Sequence, residues 1–184
     1  MKNKHSIPSI LTIAAIAVLS SCASMPKKAK PVADFQVKRY LGTWYEIARF
    51  DFRFEKNLDN TTAQYSLKEN GTVKVLNSGY NYKTKKWKSA TGTAKFRGDE
   101  HIAALKVSFF GPFYAGYNVI AINSNYQYAL VAGKSLDYLW ILSREKSIPD
   151  EVKNNYLKIA RDLGYDTTRL IWVKQDQKNP NLSE

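Results

Sequence analysis

The chain has 184 residues, a formal net charge of +12 at pH 7 and a single cysteine. This length suits one domain with a real core, and one cysteine excludes a disulfide within the chain. The positive charge indicates an anionic partner, but the lysines are spread along strand-like segments and not gathered on one recognition helix. That distribution argues against nucleic acid and favours an anionic membrane surface.

The first 21 residues have the features of an export signal. Lys2 and Lys4 precede an apolar run over residues 10–19, and a helix of that length rises only about 15 Å, half of the roughly 30 Å needed to span a bilayer. The run is therefore expected to be removed. The stretch LSSC ending at Cys22 resembles the bacterial lipobox, which implies acylation of the Cys22 thiol and cleavage just before it. The alternative is an ordinary signal peptide with an incidental cysteine.

The position after the cysteine bears on where such an anchor lies. Lipoproteins kept in the inner membrane often have aspartate there, whereas this chain has Ala23, so the resemblance implies lipid anchoring in the outer membrane. The periplasmic face is expected, with the outer face as the alternative. Several acyl chains, at about 0.8 kcal/mol per buried methylene, make a stable anchor. Residues 22–33 are basic, contain prolines and lack apolar periodicity, which predicts a flexible tether.

Short segments rich in aromatic and β-branched residues follow, separated by turn signals such as Glu69-Asn70-Gly71. Polar and apolar residues alternate in several of them, as β-strands require. Eight strands are predicted, at 43–50, 61–68, 72–80, 87–97, 102–110, 114–123, 126–133 and 136–143. Eight antiparallel strands can form a sandwich or an up-and-down barrel around a small cavity, and the pattern alone does not decide between these two folds.

One helix is predicted after the strands. Ser147 and Asp150 have the spacing of a capping box, with Pro149 in the first turn and Gly164 just past the end. Its apolar residues share one face, which is expected to pack on the outside of the sheet. A short last strand is predicted near residues 170–173, and a polar tail over 176–184.

The stretch RYLGTWYEIARF, residues 39–50, favours the barrel. It resembles the opening motif of the lipocalins, with Gly42 and Trp44 as their Gly-x-Trp. Two later features agree in order and spacing: SNY at 124–126 stands where the family has Thr-Asp-Tyr, and LWILSR ends in Arg144, where the family has its single arginine. The resemblance runs from about residue 34 to residue 174, and is greatest to bacterial outer-membrane members and to apolipoprotein D.

This resemblance implies an all-β fold, an eight-stranded antiparallel up-and-down β-barrel of the lipocalin or calycin type over residues 34–175. The helix would pack outside, followed by the short final strand. Trp44 is expected to close the base of the barrel and Arg144 to lie across it, both in structural roles. The sequence departs from the family pattern at Asn125 and lacks the disulfides of apolipoprotein D.

Strand alternation within such a barrel predicts which side chains line the interior. These are Ala63, Tyr65, Val75, Ala94, Phe96, Val107, Phe109, Tyr117, Val119, Val131, Tyr138 and Trp140. The family keeps a ligand cavity there, and Trp140 matches a pocket-lining tryptophan of apolipoprotein D; the alternative is a tightly packed core. Counting in steps of two along the strand from Trp44 predicts that Glu46 and Ala48 also face inward. Glu46 is then either a structural partner of tyrosines and Arg144 or a polar contact for a ligand.

The resemblance implies binding, storage or transfer of a hydrophobic molecule, such as a fatty acid or a lysophospholipid-like lipid. Burying about fourteen methylenes gains roughly 11 kcal/mol against an association cost of at least about 4 kcal/mol, so neither cofactor nor metal is expected. One alternative is an envelope interaction lipoprotein with a packed barrel. Another is a lipocalin-type isomerase, but Cys22 is expected to be acylated and His101 has no nucleophile beside it, so no enzyme is predicted.

The loops at the open end of a lipocalin barrel would bring aromatic and basic residues together in this chain. They are Phe52, Phe54, Phe110 and Phe113 with Lys83, Lys85 and Lys86. This combination predicts docking of the open end on an anionic membrane surface. The alternative is that the lysines only solvate a hairpin while the aromatic residues pack inside as a lid.

Overall fold

The computed structural model describes residues 25–182, so the predicted signal peptide and Cys22 lie outside the described residues. The strands are β1 (Gly42–Phe50), β2 (Leu58–Leu67), β3 (Val73–Asn81), β4 (Lys86–Phe96), β5 (Ala104–Phe110), β6 (Phe113–Ile122), β7 (Tyr128–Ala132), β8 (Leu139–Ser143) and β9 (Leu170–Trp172). The helices are α1 (Val37–Tyr40) and α2 (Asp150–Asp162), with a 3₁₀ turn at Thr167–Arg169. Neither helix in this part of the chain is long and apolar enough to cross a membrane.

The first eight strands form a closed antiparallel barrel. Each strand from β1 to β7 pairs with the next, β8 pairs back with β1, and β9 pairs with the outer part of β1. The loops 51–57, 82–85, 111–112 and 133–138 therefore gather at one end, called the mouth here. Helix α1 covers the other end, called the base, where Phe35, Tyr40 and Trp44 are buried. The predicted fold class is confirmed.

A β-bulge interrupts β1 between Glu46 and Ala48, where the pairing with β8 shifts. The extra residue reverses the inward and outward alternation. Ala48 consequently packs outside the barrel with residues that face α2, whereas Arg49 turns inward and contacts Glu46. The prediction that Ala48 faces inward is therefore wrong, because counting in steps of two assumes an unbroken strand.

Helix α2 packs on the outer wall, as predicted, and buries Tyr156 and Ala160 against the barrel. Its predicted capping box is wrong. Pro149 is the N-cap and no side chain caps the helix, because Ser147 lies two residues too early to reach the first free N–H groups. The carbonyl of Ser147 accepts instead from the Ser143 hydroxyl at 3.0 Å. Gly164 follows the helix with φ of +94°, the left-handed conformation expected there.

The two segments predicted as tether and tail are docked in part. Ala29 is buried, and Val32 donates through its N–H to the Val119 carbonyl at 2.9 Å. In the tail, Asn179 is buried and donates to the Thr62 hydroxyl at 2.9 Å. The prediction of a flexible tether is thus wrong from Ala29 onward, since composition does not reveal specific hydrogen bonds, and the polar tail is held on the barrel in part. The domain limits themselves stay a prediction.

Candidate functional site

The base is held together by one arginine. The Arg144 guanidinium lies 3.9 Å from the centre of the Trp44 ring, in the arrangement that the motif predicts. It donates to four backbone carbonyls, those of Thr43, Arg39, Leu41 and Tyr126. Gly42 has φ of +90°, and a Cβ there would lie 3.4 Å from the guanidinium. Arg144 therefore joins the first strand and the segment before it to the turn before β7.

Three buried tyrosine hydroxyls lie above the base. The Tyr117 hydroxyl is 2.6 Å from that of Tyr40 and 2.8 Å from that of Tyr65. Burial raises the pKa of all three phenols above the ordinary value, so they stay neutral at physiological pH. They give the lower interior a polar but uncharged floor.

Nearer the mouth, the interior holds a group of charged and polar side chains that we call the lumenal ion network: Glu46, Arg49, Glu55, Thr61 and Trp140. Arg49 Nη1 and the Thr61 hydroxyl both donate to Glu46 Oε1, at 3.0 and 2.9 Å. Arg49 Nε lies 3.6 Å from Glu55 Oε2, which accepts from Trp140 Nε1 at 3.2 Å. The partner of Glu46 is thus Arg49, and the prediction of tyrosines and Arg144 as its partners is wrong.

The network has two carboxyl groups around one cation. Burial raises the pKa of Glu46, and burial together with the nearby Glu46 raises the pKa of Glu55 well above its ordinary value. Arg49 opposes both shifts. The second carboxyl therefore takes up a proton more readily than an exposed glutamate does.

Eleven of the twelve predicted lining residues belong to the interior apolar cluster or pack directly on it. They are Ala63, Tyr65, Val75, Ala94, Phe96, Val107, Phe109, Tyr117, Val119, Val131 and Trp140. Tyr138 is the exception, because it lies higher, in the loop before β8, where its ring stacks on Trp140 at a centroid distance of 6.3 Å.

The interior is unevenly filled. Val75 and Val119 in the lower part are buried, in agreement with the packed-core alternative there. In the upper part, Ala90 and Ala115 are exposed although their strand registers turn them inward. The upper interior, called the lumen here, is therefore accessible from solvent on the side of β4 to β6.

The aromatic residues of the mouth divide into two groups. Phe52 is half-buried and packs edge-on against Trp140, with ring centres 5.6 Å apart. Phe54, Phe110 and Phe113 are 66%, 66% and 79% exposed, and Lys83, Lys85 and Lys86 nearby in the β3–β4 hairpin are exposed as well. Of the four aromatic residues of the mouth, only Phe52 packs inward, as the alternative of an aromatic lid predicts.

Comparison with known proteins decides the family. The profile of the lipocalin-like domain matches residues 35–175, the whole of the barrel with its helix and last strand. The chain is a lipocalin. The family comprises proteins of binding and transport. His101, the histidine considered for catalysis, lies exposed in the turn between β4 and β5, away from the lumen.

Relatives agree with this assignment. The chain is 52% identical over 171 residues to the outer membrane lipoprotein Blc of Citrobacter freundii, covering 92% of this chain and 97% of that protein. It is 36% identical to rat apolipoprotein D over 148 residues, 76% of this chain and 74% of the relative. The similarity to outer membrane lipoproteins supports an outer-membrane location.

A solved structure shows the same fold at low identity. Insecticyanin from the tobacco hornworm superposes with a TM-score of 0.66 at 22% identity, covering 83% of this chain and 87% of that chain. The two chains thus share the barrel fold although few of their residues are identical.

Proposed function

We propose that this lipocalin binds one hydrophobic molecule, a fatty acid or a lysophospholipid-like lipid, in its lumen and stores or transfers it without catalysis. The observation that carries the proposal is the accessible upper lumen, where half-buried Val107, Phe109 and Trp140 leave apolar surface uncovered inside the barrel. A long acyl chain that covered this surface would gain about 0.8 kcal/mol per methylene.

Trp140 provides the direct test. Adding a long-chain fatty acid should change the tryptophan emission, and Trp140→Phe should remove most of that change, because the half-buried indole faces the lumen. Trp172→Phe is the matched control, since Trp172 lies on the outer wall and is 43% exposed. An unaltered response in Trp140→Phe would move the binding site elsewhere, and no response in the unmodified protein would refute the proposal.

The proposal includes a lipid anchor at Cys22, with the barrel on the periplasmic face of the outer membrane. Cys22→Ala should abolish lipid attachment and the cleavage that requires an acylated thiol. Fractionation after a salt wash, together with mass measurement of the N-terminal peptide, checks this. If the variant still partitions with outer membranes, the anchor does not depend on Cys22.

The mouth is the proposed contact with an anionic membrane surface, where ligand would exchange. Exposed Phe54, Phe110 and Phe113 can enter the head-group region, while each lysine near an anionic surface contributes about 1 kcal/mol. The two attractions act on the same rim of the barrel.

Binding of the Cys22→Ala protein to vesicles tests this contact. Changing Lys83, Lys85 and Lys86 together to Gln should weaken binding to vesicles with anionic lipid at least tenfold at low salt, where screening is least, and leave binding to zwitterionic vesicles unchanged. The control changes the same number of exposed lysines at the base and outer wall, Lys38, Lys68 and Lys74. Equal binding by all three proteins would refute the contact.

A further inference from the structure

The one cation of the lumenal ion network is enclosed by its partners. Arg49 is its one cation, and its Nη1 donates to Glu46 while its Nη2 donates to the backbone carbonyls of Glu55 and Leu58. At 2% exposure the Arg49 side chain is out of reach of a ligand. The network thus offers no accessible cation to an anionic head group.

One carboxyl group beside the lumen is within reach of a ligand. The Glu55 side chain is 15% exposed, against 8% for Glu46 and 2% for Arg49. Asn77 on β3 is turned inward by its register with Ala63 and Ala90, but its Oδ1 is buried and out of reach of a ligand. A ligand that brings a hydrogen-bond donor would therefore meet Glu55.

We propose that the lumen selects lipids whose polar head donates hydrogen bonds or carries positive charge, such as a long-chain amine or a monoacylglycerol, over lipids that end in an ionised carboxylate. This inference rests on the proposed function, because it assumes that the lumen holds the ligand. A cationic head would balance the second carboxyl around Arg49, whereas a carboxylate would place a third anion beside a single cation.

Burial and the nearby Glu46 raise the pKa of Glu55, and a cationic head beside it would favour the ionised carboxylate. Lys88, which the register of β4 with β3 turns inward, is exposed and lies opposite Gly79, beside which Thr61 of the network packs. Lys88 is therefore an accessible cation near the network, and the Glu55→Gln variant, which leaves Lys88 in place, separates the effects of the two charges.

Three ligands of one chain length test the proposal on the Cys22→Ala protein at pH 8, with Trp140 emission as the signal. Hexadecylamine and monopalmitoylglycerol should each bind about tenfold more tightly than palmitate, as one charge-assisted hydrogen bond of about 1.5 kcal/mol allows. Palmitate binding as tightly as the other two overturns the inference and leaves the proposed function intact. Binding of none of the three refutes the proposed function as well.

A charge variant tests whether the Glu55 carboxylate causes the ligand preference. Glu55→Gln should lower the affinity for hexadecylamine about tenfold and raise that for palmitate, so that the preference narrows or reverses. Asp51→Asn is the matched control, because Asp51 is exposed in the same loop and should leave the preference unchanged. Circular dichroism checks that both variants fold. An unchanged preference in folded Glu55→Gln overturns the inference, and the comparison of three ligands decides the matter if Glu55→Gln does not fold.

Discussion

Replacing Arg49 with methionine should lower the free energy of unfolding by about 3–5 kcal/mol, the cost of leaving a buried carboxylate without its partner. The side chains of Arg49 and Glu46 are only 2% and 8% exposed, and their ion pair is 3.0 Å long. The two backbone carbonyls that accept from Arg49 Nη2 also lose their donor. Urea denaturation at pH 7, followed by circular dichroism, measures the change.

A double variant tests whether the unpaired carboxylate causes this loss of stability. In the double variant Arg49→Met with Glu46→Gln, the buried carboxylate is gone, so more than half of the lost stability should return. If the double variant is as unstable as Arg49→Met alone, packing of the guanidinium and its bonds to the backbone account for the loss, and charge does not.

Arg144→Met should destabilise the barrel by about 3 kcal/mol. The substitution removes four hydrogen bonds to backbone carbonyls, each worth about 0.5–1.5 kcal/mol before allowance for the solvent-exposed part of the side chain, and a cation–π contact worth about 0.5–2 kcal/mol. The same urea titration measures it. Methionine retains the aliphatic contact with Trp44, so the loss reports on the guanidinium.

Arg169→Met is the matched comparison. The Arg169 guanidinium also lies over an aromatic ring, that of Phe50, at 5.0 Å, and is 3.5 Å from Asp137. Because its side chain is 51% exposed, the substitution should cost less than about 1 kcal/mol. If the two variants lost the same free energy of unfolding, the hydrogen bonds from Arg144 to the backbone carbonyls of the base would not explain its contribution to stability.

Strand alternation predicted most of the lining because most of the lining residues lie in regularly paired stretches of strand. Val73 to Asn81 pair with β4 in one unbroken register, so a period of two places every side chain correctly. The same reasoning failed at Ala48, where one bulged residue reverses the faces of β1. Nothing local in the stretch YEIARF distinguishes a bulge from a regular strand.

The lumenal ion network could not be predicted for a different reason. Glu46 was recognised as an inward carboxyl that needs a partner, but the partner depends on the bulge that turns Arg49 inward. Glu55 and Trp140 are 85 positions apart in the chain, and they meet because the loop 51–57 folds over the mouth towards β8. A residue in a loop has no periodicity from which its direction can be read.

The sequence by itself determined the class of fold, the strands to within a few residues, the outer position of α2 and the residues of the base, because these depend on local periodicity, turn chemistry and a motif of fixed spacing. Only the tertiary structure decided which residues are charged partners inside the barrel, which aromatic residues of the mouth are exposed, and that the chain on either side of the barrel docks on its wall. Those outcomes depend on contacts between segments that are distant in the chain. The free energy of such a contact depends on both segments together and cannot be read from either one alone.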